Sequence, residues 1–317
     1  MTTGAQIDSI TSRIDRITDI PAEYRGTVIP APKSVKIELT SKCNFGCSFC
    51  AHKLNGKDHG DMDIDFYERI VKEMRSAGVE ELGLFYIGES LMCGWLPEAV
   101  MYAKDIGFPY VFLTTNGSAA TPERMRQCMD AGLDSLKFSL NFTDLAQFEE
   151  VAAVFPSLYR RAIANLKAAK KVREDGGYSC GIYASSIAFD GDQGTKMRAL
   201  VDEIRPFVDE HYWLPLYGMS GASKASGWKP KAGNPGRLDA MRESLPCWSV
   251  FTEGHITAGG MLSACCFGNG ADDALAMADL NSTPFMDAWN CSGYQALRTA
   301  HLAKDVRATA CAECAAG

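Results

Sequence analysis

The sequence has no long apolar run, no leader segment and no excess of positive charge, and each absence excludes a class of protein. No stretch of its 317 residues approaches the roughly 18 consecutive apolar residues of a transmembrane helix. The first eight residues contain neither a basic nor an apolar region, which predicts a cytoplasmic protein that is not exported. The formal net charge is −7, which weighs against a nucleic-acid partner because phosphate binding needs a basic surface.

Cysteine is abundant, with 12 residues, and without an export signal this indicates metal ligation and reduced thiols. Cys43, Cys47 and Cys50 have the spacing C-x3-C-x2-C and follow an apolar, β-like segment at 35–40. Three thiolates this close can hold three irons of a cubane cluster and leave the fourth iron open. The alternative is half of a structural zinc site.

Predicted strands and helices alternate from residue 35 onwards, with Gly and Pro at the helix ends. Six strand–helix units imply a parallel sheet, and six are too few for a closed eight-stranded barrel. We therefore expect an α/β fold, a partial (β/α)6 TIM-like barrel with its active site at the carboxyl ends of the strands. The predicted strands are 35–40, 82–87, 110–115, 135–140, 180–188 and 212–217. The predicted helices are 7–17, 64–77, 96–105, 122–131, 145–173 with a break near Pro156, and 195–207.

Residues 218–246 are rich in Gly, Lys and Pro, which predicts a linker. Its length suggests either a lid over the substrate or a solvated connector. We accordingly divide the chain into an N-terminal extension (1–33), a barrel (34–217), this linker and a C-terminal domain (247–317).

A second set of cysteines lies in the C-terminal domain. Cys247 and Cys265 flank a predicted hairpin, in which the spacing G-x4-C ends at Cys265, and Cys311 and Cys314 form a C-x2-C pair. Four cysteines can fully ligate a [4Fe–4S] cluster, and a structural zinc site with four thiolates is the alternative. Cys266 must face away from Cys265 on a strand, as a packed or a reactive thiol.

The first cysteine run resembles the signature of the radical S-adenosylmethionine (radical SAM) enzymes, and the second set resembles their SPASM/twitch extension. In that family the open iron binds SAM, and reductive cleavage gives a 5'-deoxyadenosyl radical that takes a hydrogen atom from the substrate. The chain ends three residues after Cys314, short of the full SPASM pattern. The resemblance therefore implies one auxiliary [4Fe–4S] cluster, the twitch version found in 2-deoxy-scyllo-inosamine dehydrogenase-type enzymes.

The resemblance also implies residues that contact SAM. Phe49 corresponds to an aromatic residue near the adenine, and Gly88 and Glu89 to a loop that binds the amino group. That loop keeps only the Gly and Glu of the family's Gly-Gly-Glu-Pro. Asn116 and Ser139 end predicted strands where relatives contact the SAM ribose or carboxylate, although small polar residues there are also common caps.

A cysteine thiol is a good hydrogen donor to a substrate radical. Cys93 is our candidate because it lies just beyond the loop of Glu89. The alternative for any such cysteine is a buried, inert thiol. The patterns around Cys128 and Cys180 indicate core positions, while Cys266 and Cys291 lie in the twitch region.

The sequence leaves two catalytic hypotheses. One is the dehydrogenation or epimerisation of a small polar metabolite such as an aminocyclitol or sugar. The other is maturation of a ribosomally made peptide by cross-linking, thioether formation or epimerisation. Only 42 residues precede Cys43, too few for a peptide-recognition domain, and this favours the small molecule. Both need an electron donor such as flavodoxin or ferredoxin. A third hypothesis is a non-catalytic iron–sulfur or zinc protein.

Overall fold

The protein is seen here as a computed structural model that describes residues 9–54, 60–152, 154–267 and 274–316. One nine-stranded sheet organises this part of the chain. Its strands are β1 (Ser34–Ile37), β2 (Glu81–Gly83), β3 (Tyr110–Thr115), β4 (Ser135–Ser139), β5 (Gly181–Ile187), β6 (Glu210–Leu214), β7 (Glu253–Ile256), β8 (Met261–Ser263) and β9 (Ala276–Asp279). They lie in the order β6-β5-β4-β3-β2-β1-β7-β8-β9.

Helices connect the parallel strands and cover the outer face of the sheet, whereas the helix that precedes β1 lies against the inner face. Those of the barrel are α1 (Ile10–Thr18), α2 (Ile64–Ala77), α3 (Leu96–Asp105), α4 (Pro122–Asp130), α5 (Leu145–Ala152), α6 (Pro156–Gly176) and α7 (Gly191–Ile204). After them come α8 (Ala222–Ala225), α9 (Phe285–Trp289), α10 (Ser292–Leu302) and α11 (Ala312–Ala316). No described helix combines the length and the apolar character that crossing a membrane requires.

Strands β1 to β6 are all parallel, and they confirm the predicted partial (β/α)6 barrel. Side chains alternate between the two faces of a strand. On β1, Val35 and Ile37 are fully buried in the core beneath the helices. Lys36 and Glu38 consequently point to the opposite face, which is the interior of the barrel.

The C-terminal strands extend the same sheet instead of forming a separate one. Strand β7 pairs in parallel with β1, with Ser34 opposite Glu253, while β8 and β9 continue antiparallel. The predicted hairpin is confirmed as β7–β8. Its first strand begins at Glu253, because a 3₁₀ turn occupies Trp248–Val250. Strand β9 and helices α9 and α10 were not predicted.

The predicted barrel elements differ from the structure mainly at their ends. Strand β1 stops at Ile37, because the chain beyond it turns into the cysteine loop. The predicted helix break near Pro156 is confirmed, with α6 beginning at that proline. The last predicted barrel helix ends at Ile204, where a short 3₁₀ turn takes over. Residues 7 and 8 of the first predicted helix lie outside the described residues.

Candidate active site and auxiliary cluster site

The loop with the first three cysteines, residues 43–50, follows β1 at the carboxyl edge of the parallel strands. Its backbone is fixed by two hydrogen bonds to the end of α5: Gly46 N–H donates to the Ala152 carbonyl and Ser48 N–H to the Val151 carbonyl, each at 2.8 Å. All three cysteines are half-buried. The loop therefore holds its thiols at the expected end of the barrel.

Asn116, at the end of β3, contacts this loop directly. Its side-chain amide donates to Asn44 Oδ1 at 2.9 Å, and the Asn44 amide donates in turn to the Ser118 hydroxyl at 2.8 Å. Burial raises the pKa of the Cys43 thiol to about 12, against a hydrogen bond from Asn116 that acts to lower it. Asn116 thus lies beside the first cysteine of the motif.

Gly88 lies where the loop after β2 passes against the chain that leaves β1. Its N–H donates to Glu38 Oε1 at 2.9 Å. A Cβ at this position would lie 2.0 Å from the Thr40 carbonyl oxygen, closer than any real contact. Only glycine fits, so the close approach of the two loops explains the residue.

Glu89 ties the same loop to the end of β3. Its buried carboxylate accepts hydrogen bonds from the Thr115 hydroxyl and the Asn116 N–H, both at 2.7 Å, and from the Leu91 N–H at 3.3 Å. Burial raises the pKa of this carboxyl, and the three donors oppose that shift. A contact between Glu89 and SAM stays a prediction.

Phe49 and Ser139 lie at the carboxyl ends of β4, β5 and β6. Phe49 is buried against Val151, Ile187 and Leu216. Ser139 is half-buried and is paired with Ser185 at the last register position of β4. Phe49 thus lies in the cysteine loop, and Ser139 lies at the end of β4. Their contacts with SAM stay predictions.

Cys93 occupies a different environment from the motif cysteines. It has no exposed surface and packs in the core between sheet and helices, as Cys128 and Cys180 also do. Burial raises its pKa to about 11. It is not among the residues that line the two main cavities of the described chain. Its role as a hydrogen donor stays a prediction without support from its surroundings.

The second cysteine set surrounds one cavity of about 540 Å³. Lys224 and Lys231 of the linker also line it, and their charges suit a thiolate-ligated cluster. The Gly233 N–H donates to the Cys314 carbonyl at 2.5 Å, so the linker closes one side. The cysteines that line this cavity are Cys247, Cys265, Cys311 and Cys314.

Cys265 and Cys266 have separate surroundings. Cys265 lines the cavity of the second cysteine set, while Cys266 lines a second cavity of about 160 Å³ inside the barrel. Their side chains are also hydrogen-bonded to each other. The predicted strand alternation is wrong for this pair, because β8 ends at Ser263 and both cysteines lie in the bend and turn that follow it.

Charged side chains that sequence reasoning missed lie inside the barrel. Lys36 Nζ is 2.8 Å from Glu253 Oε2, which also receives a hydrogen bond from His255 Nε2 at 2.9 Å. Burial alone would raise the pKa of Glu253, but Lys36 and His255 lower it to about 2. Burial lowers the pKa of His255, which is therefore neutral at pH 7. The available signal was Lys36, a charged residue within an apolar strand that the sequence placed in a parallel sheet.

The two cysteine sets can be compared with the iron–sulfur clusters that their spacings suggest. Two separate thiol sets, one of three and one of four, match an open-site and a fully ligated iron–sulfur cluster. Thiolates, not thiols, bind metal, so cluster assembly must remove the protons that burial holds on these cysteines. Among the described residues no three His, Cys, Asp or Glu form a group suited to a single metal ion.

Comparison with known proteins identifies the class. Residues 37–184 match the radical SAM superfamily, and residues 247–315 match the SPASM iron–sulfur cluster-binding domain. The chain belongs to the radical SAM superfamily and carries a SPASM/twitch domain. The two domains imply a [4Fe–4S] cluster with SAM and an auxiliary iron–sulfur cluster as cofactors.

Similar curated proteins match only part of the chain. A probable GTP 3',8-cyclase of Methanococcus maripaludis is 31% identical over 122 residues, which are 38% of this chain and 40% of that protein. A PqqA peptide cyclase of Streptomyces rochei is 30% identical over 149 residues, 47% of this chain and 39% of that protein. The chain thus spans about two-fifths of the length of these relatives.

Similar solved structures cover more of the chain at lower identity. SuiB of Streptococcus suis bound to precursor peptide SuiA has a TM-score of 0.65 and 14% identity, over 91% of this chain and 69% of that one. BtrN in complex with AdoMet and 2-DOIA has a TM-score of 0.53 and 16% identity, over 85% and 86%. At such identities the likeness concerns the fold.

Proposed function

We propose that this enzyme abstracts a hydrogen atom from a small polar metabolite and oxidises or epimerises it. When bound, SAM and the reduced cluster supply a 5'-deoxyadenosyl radical for that abstraction. The proposed ligands of the SAM-binding cluster are Cys43, Cys47 and Cys50. The proposed ligands of the auxiliary cluster are Cys247, Cys265, Cys311 and Cys314, and the domain boundaries given above remain part of the proposal.

One observation carries the proposal. The cysteine loop, the Gly88 loop and the end of β3 are joined at one edge of the barrel through Asn44–Asn116 and Glu89–Asn116 hydrogen bonds. Small polar residues and backbone groups gathered beside three thiols can bind the amino acid and ribose parts of SAM. Phe49, Gly88, Glu89, Asn116 and Ser139 are the proposed SAM contacts.

The size of the barrel cavity supports a small substrate. A cavity of about 160 Å³, partly open to its surroundings, lies beside Lys36, Lys137 and Cys266. It has room for several water-sized groups, as a small polar molecule requires. BtrN, which was solved with AdoMet and 2-DOIA, shares the fold. A sugar or cyclitol derivative is therefore our first substrate class.

The test is SAM cleavage by anaerobically reconstituted protein with dithionite, followed as formation of 5'-deoxyadenosine. We expect slow cleavage without substrate and faster cleavage with a correct one. The Cys43→Ala variant should form none, while Cys128→Ala, which removes a core thiol, should retain activity. A wild type with a full complement of iron that forms no 5'-deoxyadenosine would contradict the proposal.

Reaction in D₂O separates the two outcomes for a small substrate. Epimerisation needs a hydrogen donor with a solvent-exchangeable hydrogen and leaves deuterium in the product. Oxidation would release a proton to solvent and an electron, which the auxiliary cluster would accept when bound, and would leave a product with two hydrogens fewer and no deuterium. An electron donor such as flavodoxin or ferredoxin should replace dithionite in either case.

Peptide maturation is the second candidate, favoured by the 30% identity to a PqqA peptide cyclase. A short precursor-peptide gene beside this gene would point to it, whereas sugar and aminotransferase genes would point to a metabolite. The encoded peptide should then stimulate 5'-deoxyadenosine formation, and its mass should change. Stimulation by that peptide and not by sugars would replace our first proposal with this one.

A further inference from the structure

The cavity inside the barrel has an uneven charge. It is closed on one side by α1 and lined by aromatic rings of the neighbouring strands. Among the charged groups that line it, four are cations and one is a carboxylate. They are Arg13, Lys36, Lys137, Arg237 and Glu253.

Three of the four cations have carboxylate partners. Arg13 is 2.5 Å from Glu81, Lys36 is 2.8 Å from Glu253, and Arg237 is 2.9 Å from Asp15. These pairs cancel their own charges inside a poorly solvated space, where an unpaired charge is costly. Arg237 also lies 3.8 Å from Asp239. The remaining cation, Lys137, forms no ion pair with any carboxylate of the described chain.

Lys137 is a half-buried residue of β4 whose ammonium points toward aromatic rings. Its Nζ donates to the Tyr212 hydroxyl oxygen at 3.1 Å, and it lies 5.6 Å from the centroid of the same ring. The buried Tyr212 hydroxyl accepts this bond, and its own O–H has no acceptor among the described residues. The pair therefore presents an ammonium and a hydroxyl donor to the cavity.

A second donor in the cavity wall also lacks a partner. Arg13 is only 6% exposed, and its Nε has no hydrogen-bond acceptor among the described residues. Donors without acceptors in an enclosed space are typical of a site that a bound acceptor completes. An ammonium without a carboxylate partner and donors without acceptors point to the same kind of ligand.

We propose that Lys137 and the Tyr212 hydroxyl form a subsite for a carboxylate of the substrate inside the barrel. The inference rests on the proposed function, because it makes this cavity the substrate pocket. The cavity admits a carboxylate on a short stem, and this comes either from a small acid such as a sugar acid or from a Glu or Asp side chain of a peptide.

The test uses ¹⁹F NMR of trifluoroacetate with the reconstituted enzyme. We expect line broadening that acetate reverses and that neutral acetamide of the same shape does not reverse. Lys137→Met should weaken binding at least about tenfold, as expected for loss of a charge-assisted hydrogen bond. Lys137→Arg should stay within about threefold because the charge is kept, and Lys171→Met, which removes an exposed lysine, should bind as the wild type does.

Competition then identifies the source of the carboxylate. Displacement by glucuronate supports a small acid, and displacement by N-acetyl-glutamate N-methylamide supports a peptide side chain. If acetate and acetamide displaced trifluoroacetate equally from the wild type, the subsite would be overturned, even if Lys137→Met did not fold. Unchanged binding of trifluoroacetate by folded Lys137→Met would also overturn it. Wild type that binds the probe but forms no 5'-deoxyadenosine would refute the proposed function instead, and leave the anion site standing.

Discussion

Glu38 and Ala258 are joined by a hydrogen bond of 3.0 Å between a buried carboxylate at the end of the first barrel strand and a backbone N–H at the turn of the C-terminal hairpin. The other carboxylate oxygen of Glu38 accepts from the Gly88 N–H. One side chain therefore connects the proposed SAM loop with the domain that carries the second cysteine set. Burial raises the pKa of this carboxyl, and the N–H donors oppose the shift.

Glu38→Ala should destabilise the protein, because it leaves the backbone N–H groups of Gly88 and Ala258 without their acceptor. The free energy of unfolding should fall by about 3 kcal/mol, measured by urea unfolding followed by circular dichroism under anaerobic conditions. Glu149→Ala, at an exposed helical position, is the control and should change it by less than about 0.5 kcal/mol. Equal stability of the two variants would show that this connection is not needed.

Gly88→Ala tests the close approach of two loops. The added Cβ must push the loop away from Thr40, at a cost of about 1–3 kcal/mol. We expect SAM affinity, measured by anaerobic equilibrium dialysis, to fall at least about tenfold while iron content stays the same. Gly94→Ala is the matched control, since a Cβ there meets nothing within 4 Å. Unchanged affinity in Gly88→Ala would remove this loop from the SAM site.

The buried Lys36–Glu253 pair predicts strong non-additivity. Glu253→Gln alone should lower the free energy of unfolding by about 3–5 kcal/mol, because it leaves the Lys36 charge unpaired. Lys36→Met combined with Glu253→Gln should recover most of that loss. A double variant no more stable than Glu253→Gln would mean that the two charges are not coupled.

The pH dependence of the same pair follows from its pKa values. Glu253 has its pKa lowered to about 2, so its stabilisation is complete above its ordinary value of 4.5 and is lost as the pH falls toward 2. The pKa of Lys36 is raised by Glu253 against the effect of burial. The stability advantage of wild type over Glu253→Gln should therefore shrink as the pH falls from about 4.5 toward 2. An advantage that stays the same over this range would contradict the charged pair.

Cys265 and Cys266 should differ in iron binding although they are neighbours. Cys265→Ala should lose about four irons per chain, because its thiol lines the auxiliary cavity. Cys266→Ala should keep them, because Cys266 lines the barrel cavity. Colorimetric iron analysis after anaerobic reconstitution measures both. Loss of iron in Cys266→Ala alone would reverse the assignment.

Much of the barrel was predictable from local sequence. Alternating apolar strands and helices bounded by Gly and Pro gave all six parallel strands, and Pro156 marked the break between α5 and α6. The cysteine spacings predicted two clusters in separate parts of the chain, and both family matches agree. These features are encoded within a few residues of each other.

The features that were not predicted depend on contacts between distant segments. The pairing of β7 with β1 joins residues about 220 positions apart, and no local pattern encodes it. Glu38, Lys36 and Glu253 lie on strands that the sequence placed in separate domains, and the continuous sheet brings them together inside the barrel. Cys93 was chosen for its place in the sequence, and its side chain points into the helical core instead.

The most direct test of the account is the iron and acid-labile sulfide content of the anaerobically reconstituted protein beside the Cys311→Ala/Cys314→Ala variant. Two cubane clusters predict about eight irons and eight sulfides per chain, falling to about four of each in the variant. A wild type with about four irons, and a variant that loses none, would contradict the two-cluster account. The C-terminal cysteines would then not be an iron site, and oxidation would lose its electron acceptor.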